Sequence, residues 1–376
     1  MPGPDDGAAA VLSIDLTAIA ANYRLLAARL GPAPDCAAVV KADAYGLGVA
    51  AVAPTLHDAG CRIFFVATLD EGIELRGLLP EAEIYAFNGL AAGGAEAFLA
   101  HALRPVLNSL GEIDAWAAMG RRRGPAPAAL HIDTGMARLG LPPAELAVLA
   151  EDRARLDGVT LALVLSHLAC ADEGAHPMNA RQLAAFRDAA RRVAPAGVRL
   201  SLAASAGIFL GADYCFHVAR PGAALYGLRP RPDAPNPLAP VVRLQGKILQ
   251  VRDVDSDTTV GYGATHRVTG PARLATVGAG YADGYLRSLS NRGSAHIGAE
   301  RVPVVGRVSM DLITLDVTAI APERVAPGAL VDLIGPHNPA DALAEEAGTI
   351  GYEILTSLGR RYRRHYVGGA APTAGG

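Results

Sequence analysis

Eight short apolar runs alternate with stretches of helical period between residues 36 and 219, and this alternation constrains the fold more than any other feature of the chain. The runs cover residues 36–40, 62–67, 83–87, 104–107, 128–132, 160–166, 199–204 and 215–219. Several are rich in Val, Ile and Leu on both faces, the pattern of parallel strands covered by helices. Between them, stretches such as 89–100, 109–123 and 175–193 space their apolar residues three and four apart, as an amphipathic helix requires. Eight strands alternating with helices is the count of a (β/α)8 TIM-type barrel. A doubly wound open sheet would have fewer strands and usually a glycine-rich phosphate loop after the first.

The alternation stops at RPRPDAPNPLAP (229–240), which holds five prolines and little to bury. Proline fixes φ and removes a donor, so this segment is expected to be neither helix nor central strand. Beyond it, 241–251, 273–277, 313–317 and 329–334 read as strands between Gly, Pro and Asp turns, with little helical pattern. The expected division is a barrel over 10–235 and a smaller, mostly-β domain over 236–368. The ends, 1–9 and 368–376, are Gly-, Ala- and Pro-rich and are expected to be disordered.

Half of the 376 residues are apolar, enough for a large core, and the net charge of −3 gives no electrostatic case for a nucleic-acid or membrane partner. The basic clusters at 121–123 and 360–364 read mainly as surface or interface charge. Cys36, Cys61, Cys170 and Cys215 lack the spacing of a zinc or redox motif and read as free thiols of a reducing compartment. The opening MPGPDDG is a poor signal peptide, and the most apolar segment, 159–165, is far too short to span a bilayer. A cytoplasmic protein is expected.

In a barrel, the strand ends of one face build the active site. Lys41 follows the first run, His131 and Asp133 the fifth, His167 the sixth, Ser205 the seventh and Arg220 the eighth. A lysine directly after a buried strand is desolvated, which lowers its pKa and supplies the neutral amine that Schiff-base chemistry needs. A lysine snorkelling to the barrel rim would read the same from this string alone.

The string VVKADAYGLG (39–48) resembles the pyridoxal-phosphate (PLP) lysine signature of the alanine racemase family. HIDTGMARLG (131–140), Ser166-His167, ASAG (204–207), RPGAALYG (220–227), VGYGA (260–264), GYADG (280–284), GRVSMD (306–311) and GYE (351–353) follow in that family's order, so the resemblance covers roughly 12–367. It implies that Lys41 binds PLP and is one of two acid/base groups. Tyr262 would be the other, on the opposite face of the substrate's α-carbon, since racemisation removes a proton from one face and returns one to the other. A tyrosine needs cationic neighbours to act as a base, and the resemblance offers His167 and Arg220 for that network. Arg220 would face the pyridine nitrogen and disfavour its protonation, which favours racemisation over the decarboxylation run by related barrels with an acidic residue there. The phosphate would meet Ser205, the amides around Gly222 and Ala223, and the hydroxyls of Tyr45 and Tyr352. Arg138 and the Met310 amide would bind the substrate carboxylate, supported by His131, Tyr281 and Asp311.

Two departures stand out. Where this chain has His131 the family often has a lysine, carbamylated in some members, that holds the arginine corresponding to Arg138; a histidine cannot form that carbamate. Leu47 stands where a histidine is common. The resemblance further implies a homodimer whose sites combine Lys41 of one chain with Tyr262 of the other, alanine as the substrate, and a role in supplying D-alanine for peptidoglycan. A racemase of serine or of a broader amino-acid range, a PLP-dependent decarboxylase, a PLP-binding protein with little activity and a Schiff-base aldolase without PLP are the alternatives. No metal is expected. GAGYADG (278–284) is one residue too long for a dinucleotide fingerprint and precedes no helical pattern.

Overall fold

The computed structural model describes residues 7–91 and 93–368. The expected disorder of the ends concerns residues that lie mainly outside this range; within it, the Ala9 carbonyl already accepts a hydrogen bond from the Lys247 amide.

Seven parallel strands run in sequence order from Ala38–Val39 through Ile63–Val66, Glu83–Ala86, Arg104–Leu107, Ala126–His131 and Val159–Leu165 to Arg199–Ser201. Val218–Ala219 closes the circle. It pairs in parallel with Asp35–Cys36, and a bridge between Ala204 and Arg220 joins it to the seventh strand. The result is the expected eight-stranded barrel. Its strands are buried on both faces because helices such as Leu110–Arg123 and Pro177–Val193 cover the outside. These helices begin where the sequence supplies caps: the Ser109 hydroxyl accepts from the Glu112 amide at the first, and Pro177 stands at the start of the second. At the N-terminal end of the strands, Glu83 pairs with Arg104 and Arg199 around the buried Tyr85 hydroxyl, a polar plug far from the strand ends that carry Lys41 and Arg220.

The second domain is a sheet around the long strand Val242–Val254, with Ala272–Val277, Ile313–Asp316, Leu330–Ile334 and the hairpin Ser294–Ile297/Glu300–Pro303. Ala10–Asp15, grouped with the barrel by the sequence division, belongs here instead. It pairs antiparallel with Val242–Val254 and parallel with Arg363–Val367. Its alternating burial explains the placement: Ala10, Leu12 and Ile14 face the core while the residues between them are partly exposed. One continuous hydrophobic core runs from the barrel into this sheet.

Two helices that the sequence reading missed, Ala340–Ala347 and Gly351–Ser357, lean over the barrel mouth. The proline-rich segment is neither helix nor strand, as expected, but it is tied down. Asn22 binds it on both sides, accepting from the Ala239 amide and donating to the Leu225 and Ala239 carbonyls, while the Arg229 amide donates to Asp341 at 2.8 Å.

Candidate active site

The backbone after the first barrel strand takes an unusual course. Ala42, Asp43, Ala44 and Tyr45 all have φ between 53° and 57°, a left-handed turn built from residues with side chains. This conformation costs L-residues roughly 1–2 kcal/mol each, so the surroundings must hold it. Glu71 accepts from the Ala42 amide at 2.7 Å through one oxygen and, through the other, from the Ala67 and Thr68 amides at the start of helix Leu69–Leu78. Asp43 accepts from the Val49 amide at 2.7 Å. From the second domain, Arg364 donates to the Gly46 carbonyl and the Tyr366 hydroxyl to the Leu47 carbonyl. Leu47 itself is fully buried, which gives that departure a packing role. The turn leaves Lys41 half-buried at the barrel mouth, its Nζ 5.9 Å from the centre of the Phe87 ring. Burial, then the neighbouring Arg138, lowers its pKa, against an opposing pull from Glu71.

Lys41 opens into a cavity of about 870 Å³ at the C-terminal ends of the strands. Tyr45, His131, Arg138, His167, Ser205, Arg220, Gly222, Ala223 and Tyr352 share its lining, so ten of the expected site residues, Lys41 included, converge there. The proline-rich segment contributes Arg229, Pro230 and Pro232 to its rim, which the sequence reading did not anticipate.

Arg220 is 2 % exposed. It donates to the Ser166 carbonyl at 2.6 Å and to the Ser201 hydroxyl. Burial pushes it down to about 9, still cationic at neutral pH. Ser205 Oγ accepts from the Gly222 and Ala224 amides at 3.0 and 3.1 Å, which shapes the turn beside it. Gly222 needs to be small. A Cβ there would overlap the Tyr45 hydroxyl and lie 3.0 Å from Tyr45 Cζ, and Tyr45 packs at a tilt against Tyr226 and Tyr352 with ring centres 4.7 and 5.9 Å away. A phenol hydroxyl and a serine hydroxyl thus face the turn at this glycine.

On the opposite wall, Asp133 accepts from the Gly135, Met136 and Ala137 amides and so folds the loop that carries Arg138. His131 Nδ1 lies 2.8 Å from Asn108 Oδ1. Burial, then Arg220, pushes His131 down to about 4, against an opposing pull from Asp133. Burial, then Arg220 and Arg138, pushes His167 down to about 3. Both imidazoles are therefore neutral at physiological pH. Lysine, two arginines and two neutral histidines suit a ligand that carries both phosphate and carboxylate. The residues present therefore fit PLP together with an amino acid.

The remaining expected residues stand apart. Tyr262 lies in the turn between Thr258–Val260 and His266–Val268, is 71 % exposed, and does not line the cavity. Tyr281, Met310 and Asp311 lie near it in neither sequence nor strand, yet they form one braced unit: the Tyr281 and Ala282 amides donate to the Ser309 and Met310 carbonyls, and Arg361 bridges Asp283 and Asp311 at 2.6 and 2.8 Å. Met310 is 53 % exposed, and none of the three lines the cavity.

The fold and site are those of a two-domain protein with a desolvated lysine at the mouth of a barrel, two arginines in the same cavity and an appended β domain. The family model described as alanine racemase, N-terminal domain, matches residues 14–230, and that of the C-terminal domain matches 241–366. An alanine racemase of Rhodospirillum rubrum is 52 % identical over 368 residues, 97 % of this chain and 98 % of that protein. A catabolic alanine racemase of Agrobacterium fabrum is 51 % identical over 363 residues, covering 96 % and 93 %. The crystal structure of the Bartonella henselae alanine racemase with covalently bound pyridoxal phosphate superposes with a TM-score of 0.92 at 41 % identity, covering 96 % of this chain and all of that one. The chain belongs to the alanine racemase family, PLP-dependent isomerases.

Proposed function

We propose that this protein interconverts L- and D-alanine with PLP held by Lys41, in a site completed by Tyr262 of a second copy of the chain. One observation carries the reading: Lys41 opens into a cavity shared with Arg138 and Arg220, whereas Tyr262 is exposed on the β domain and does not line that cavity. Ser205, Tyr45, Tyr352 and the backbone around Gly222 and Ala223 would hold the phosphate, with His167 and Arg220 along the ring. PLP, when bound, supplies an electron sink that makes the α-proton of an amino acid removable.

This chain's own residues do the rest. Arg138 and, from the second copy of the chain, the Met310 amide bind the substrate carboxylate and orient the α-carbon. Lys41 and Tyr262 stand as proton donor and acceptor on opposite faces, each protonated when the other is not, so either enantiomer can be made. Arg220 keeps a fixed positive charge deep in the pocket. Such a charge disfavours protonation of a ring nitrogen beside it and restrains the competing reactions that a stronger sink would allow. That charge also argues against the decarboxylase reading.

A two-fold dimer would build two equivalent sites, each from one barrel and the partner's β domain. Provision of D-alanine for peptidoglycan is the cellular role we favour; breakdown of D-alanine is the second reading, because relatives such as the Agrobacterium fabrum enzyme are named catabolic. The four free cysteines fit the reducing cytoplasm. The test mixes two inactive variants, Lys41→Ala and Tyr262→Phe, under subunit exchange. Hybrid dimers carry one site with both defects and one with neither, and random pairing makes half the dimers hybrid, so about a quarter of native activity should return. No recovery, with hybrids shown to form, would exclude the shared site.

A further inference from the structure

Asn108 follows the fourth barrel strand and enters neither the sequence reading nor the proposed chemistry. Its amide nitrogen donates to the Phe87 and Val106 carbonyls at 3.1 and 2.8 Å, and its own backbone amide donates to Glu112. With both carbonyls demanding a donor, the orientation of the side-chain amide is determined, and Oδ1 is the atom that meets His131 Nδ1. An amide oxygen can only accept, so Nδ1 of His131 carries the proton and Nε2 carries the lone pair. Nε2 has no hydrogen bond among the described residues and is not among their buried unpartnered atoms, so it keeps access to the cavity that His131 lines.

Arg138 lines the same cavity and has no hydrogen-bond or ion-pair partner among the described residues. A guanidinium offers five donors in a rigid fork, and a long side chain without a partner is poorly ordered for bidentate recognition. Two neighbouring acceptors are committed elsewhere: the Asp133 carboxylate to three amides of the loop, and Asn108 Oδ1 to His131. His167 also faces the cavity, but no group among the described residues fixes its tautomer through a ring hydrogen bond.

We infer that Asn108 is a positioning residue for the substrate carboxylate: by locking His131 in the Nδ1–H tautomer it presents Nε2 as a neutral acceptor that orients the Arg138 guanidinium. The inference rests on the proposed role of Arg138. A neutral acceptor suits the task, because a protonated imidazole would offer a second donor and repel the arginine. The depressed proton affinity of His131 keeps it neutral across the working range.

The holoenzyme, labelled with 15N-histidine, tests this. Two-bond proton–nitrogen spectra should show His131, identified by its loss in His131→Phe, as the Nδ1–H tautomer. Its Nε2 resonance should move when Arg138 is replaced by Leu. Asn108→Leu should yield a tautomer mixture and raise KM for alanine about tenfold, the scale of one hydrogen bond to a charged group, with kcat changed much less. A native Nε2–H tautomer, an Nε2 resonance indifferent to Arg138→Leu, or an unchanged KM in a folded Asn108→Leu enzyme would each overturn the inference. The native tautomer requires no variant, so misfolding of Asn108→Leu leaves the inference testable. A native holoenzyme without racemisation would instead overturn the proposed function.

Discussion

Gly222→Ala should damage the proposed phosphate cradle by steric overlap. The added Cβ would overlap the Tyr45 hydroxyl, lie 3.0 Å from Tyr45 Cζ and stand 3.2 Å from Val39 Cβ. Tyr45 cannot swing aside cheaply: it is buried, packed against Tyr226 and Tyr352, and carried on the left-handed turn after Lys41. Gly222 has φ near −128°, outside the left-handed region. Overpacking of this kind costs about 1–3 kcal/mol. If the apo pocket relaxes and PLP forces the tight form, that energy appears as PLP affinity weakened roughly 5- to 150-fold. If it does not relax, the apoprotein melts lower by a few degrees, at about 2–4 °C per kcal/mol for a domain of this size. Titration of apoprotein with PLP by absorbance, together with thermal melts, separates the two. Tyr45→Phe removes the overlapping hydroxyl, so in the double variant more than half of the Gly222→Ala penalty should vanish after correction for Tyr45→Phe alone. Native PLP affinity and melting in Gly222→Ala, or additive effects in the double variant, would refute this reading of the cradle.

Tyr262→Phe should keep the bound chromophore yet lose interconversion, with α-proton exchange surviving better from the D-enantiomer; equal, undiminished exchange from both enantiomers in deuterated solvent would dismiss two bases. Arg220→Glu exchanges a buried cation for an anion, so we expect slower racemisation and more transamination, read from pyruvate released per alanine turned over. Because His131 has a folded pKa near 4 and an unfolded value near 6.5, protons favour the unfolded chain, and this group alone should cost the apoprotein roughly 3 kcal/mol as pH falls from about 6.5 to 4. Urea unfolding of native protein and His131→Phe should show a shallower decline in the variant; parallel curves would mean that His131 is not held neutral.

The barrel was legible because its strands are short, apolar on both faces and separated by helices of clear period. The strand ends then named Lys41, His131, Asp133, His167, Ser205 and Arg220, and all but Asp133 line the cavity. The strand Ala10–Asp15 was not recognised because its partners lie more than two hundred residues away, and the alternation of its side chains spans only six residues. The helices Ala340–Ala347 and Gly351–Ser357 are short, and their packing over the mouth follows from tertiary contacts that no local pattern announces. The left-handed turn at 42–45 has no glycine among its four residues, so nothing in composition marks it. Asn108 could have been found by the rule that found the others, as a polar residue directly after the strand Arg104–Leu107. The proline-rich segment lacks helix and strand as its prolines require, but the hydrogen bonds to Asn22 and Asp341 that fasten it against the cavity rim have no local signal.

The attachment of PLP to Lys41 can be tested most directly by borohydride reduction of the native enzyme, followed by proteolysis and mass mapping. The chain has only two lysines, Lys41 and Lys247, so the outcome is nearly binary. Lys247 lies on the long strand of the second domain and does not line the cavity. We expect a yellow protein whose reduced cofactor is found on the peptide containing Lys41, and a colourless Lys41→Ala variant that cannot exchange the α-proton of alanine. Cofactor fixed to Lys247, or covalent cofactor retained in Lys41→Ala, would contradict the assignment.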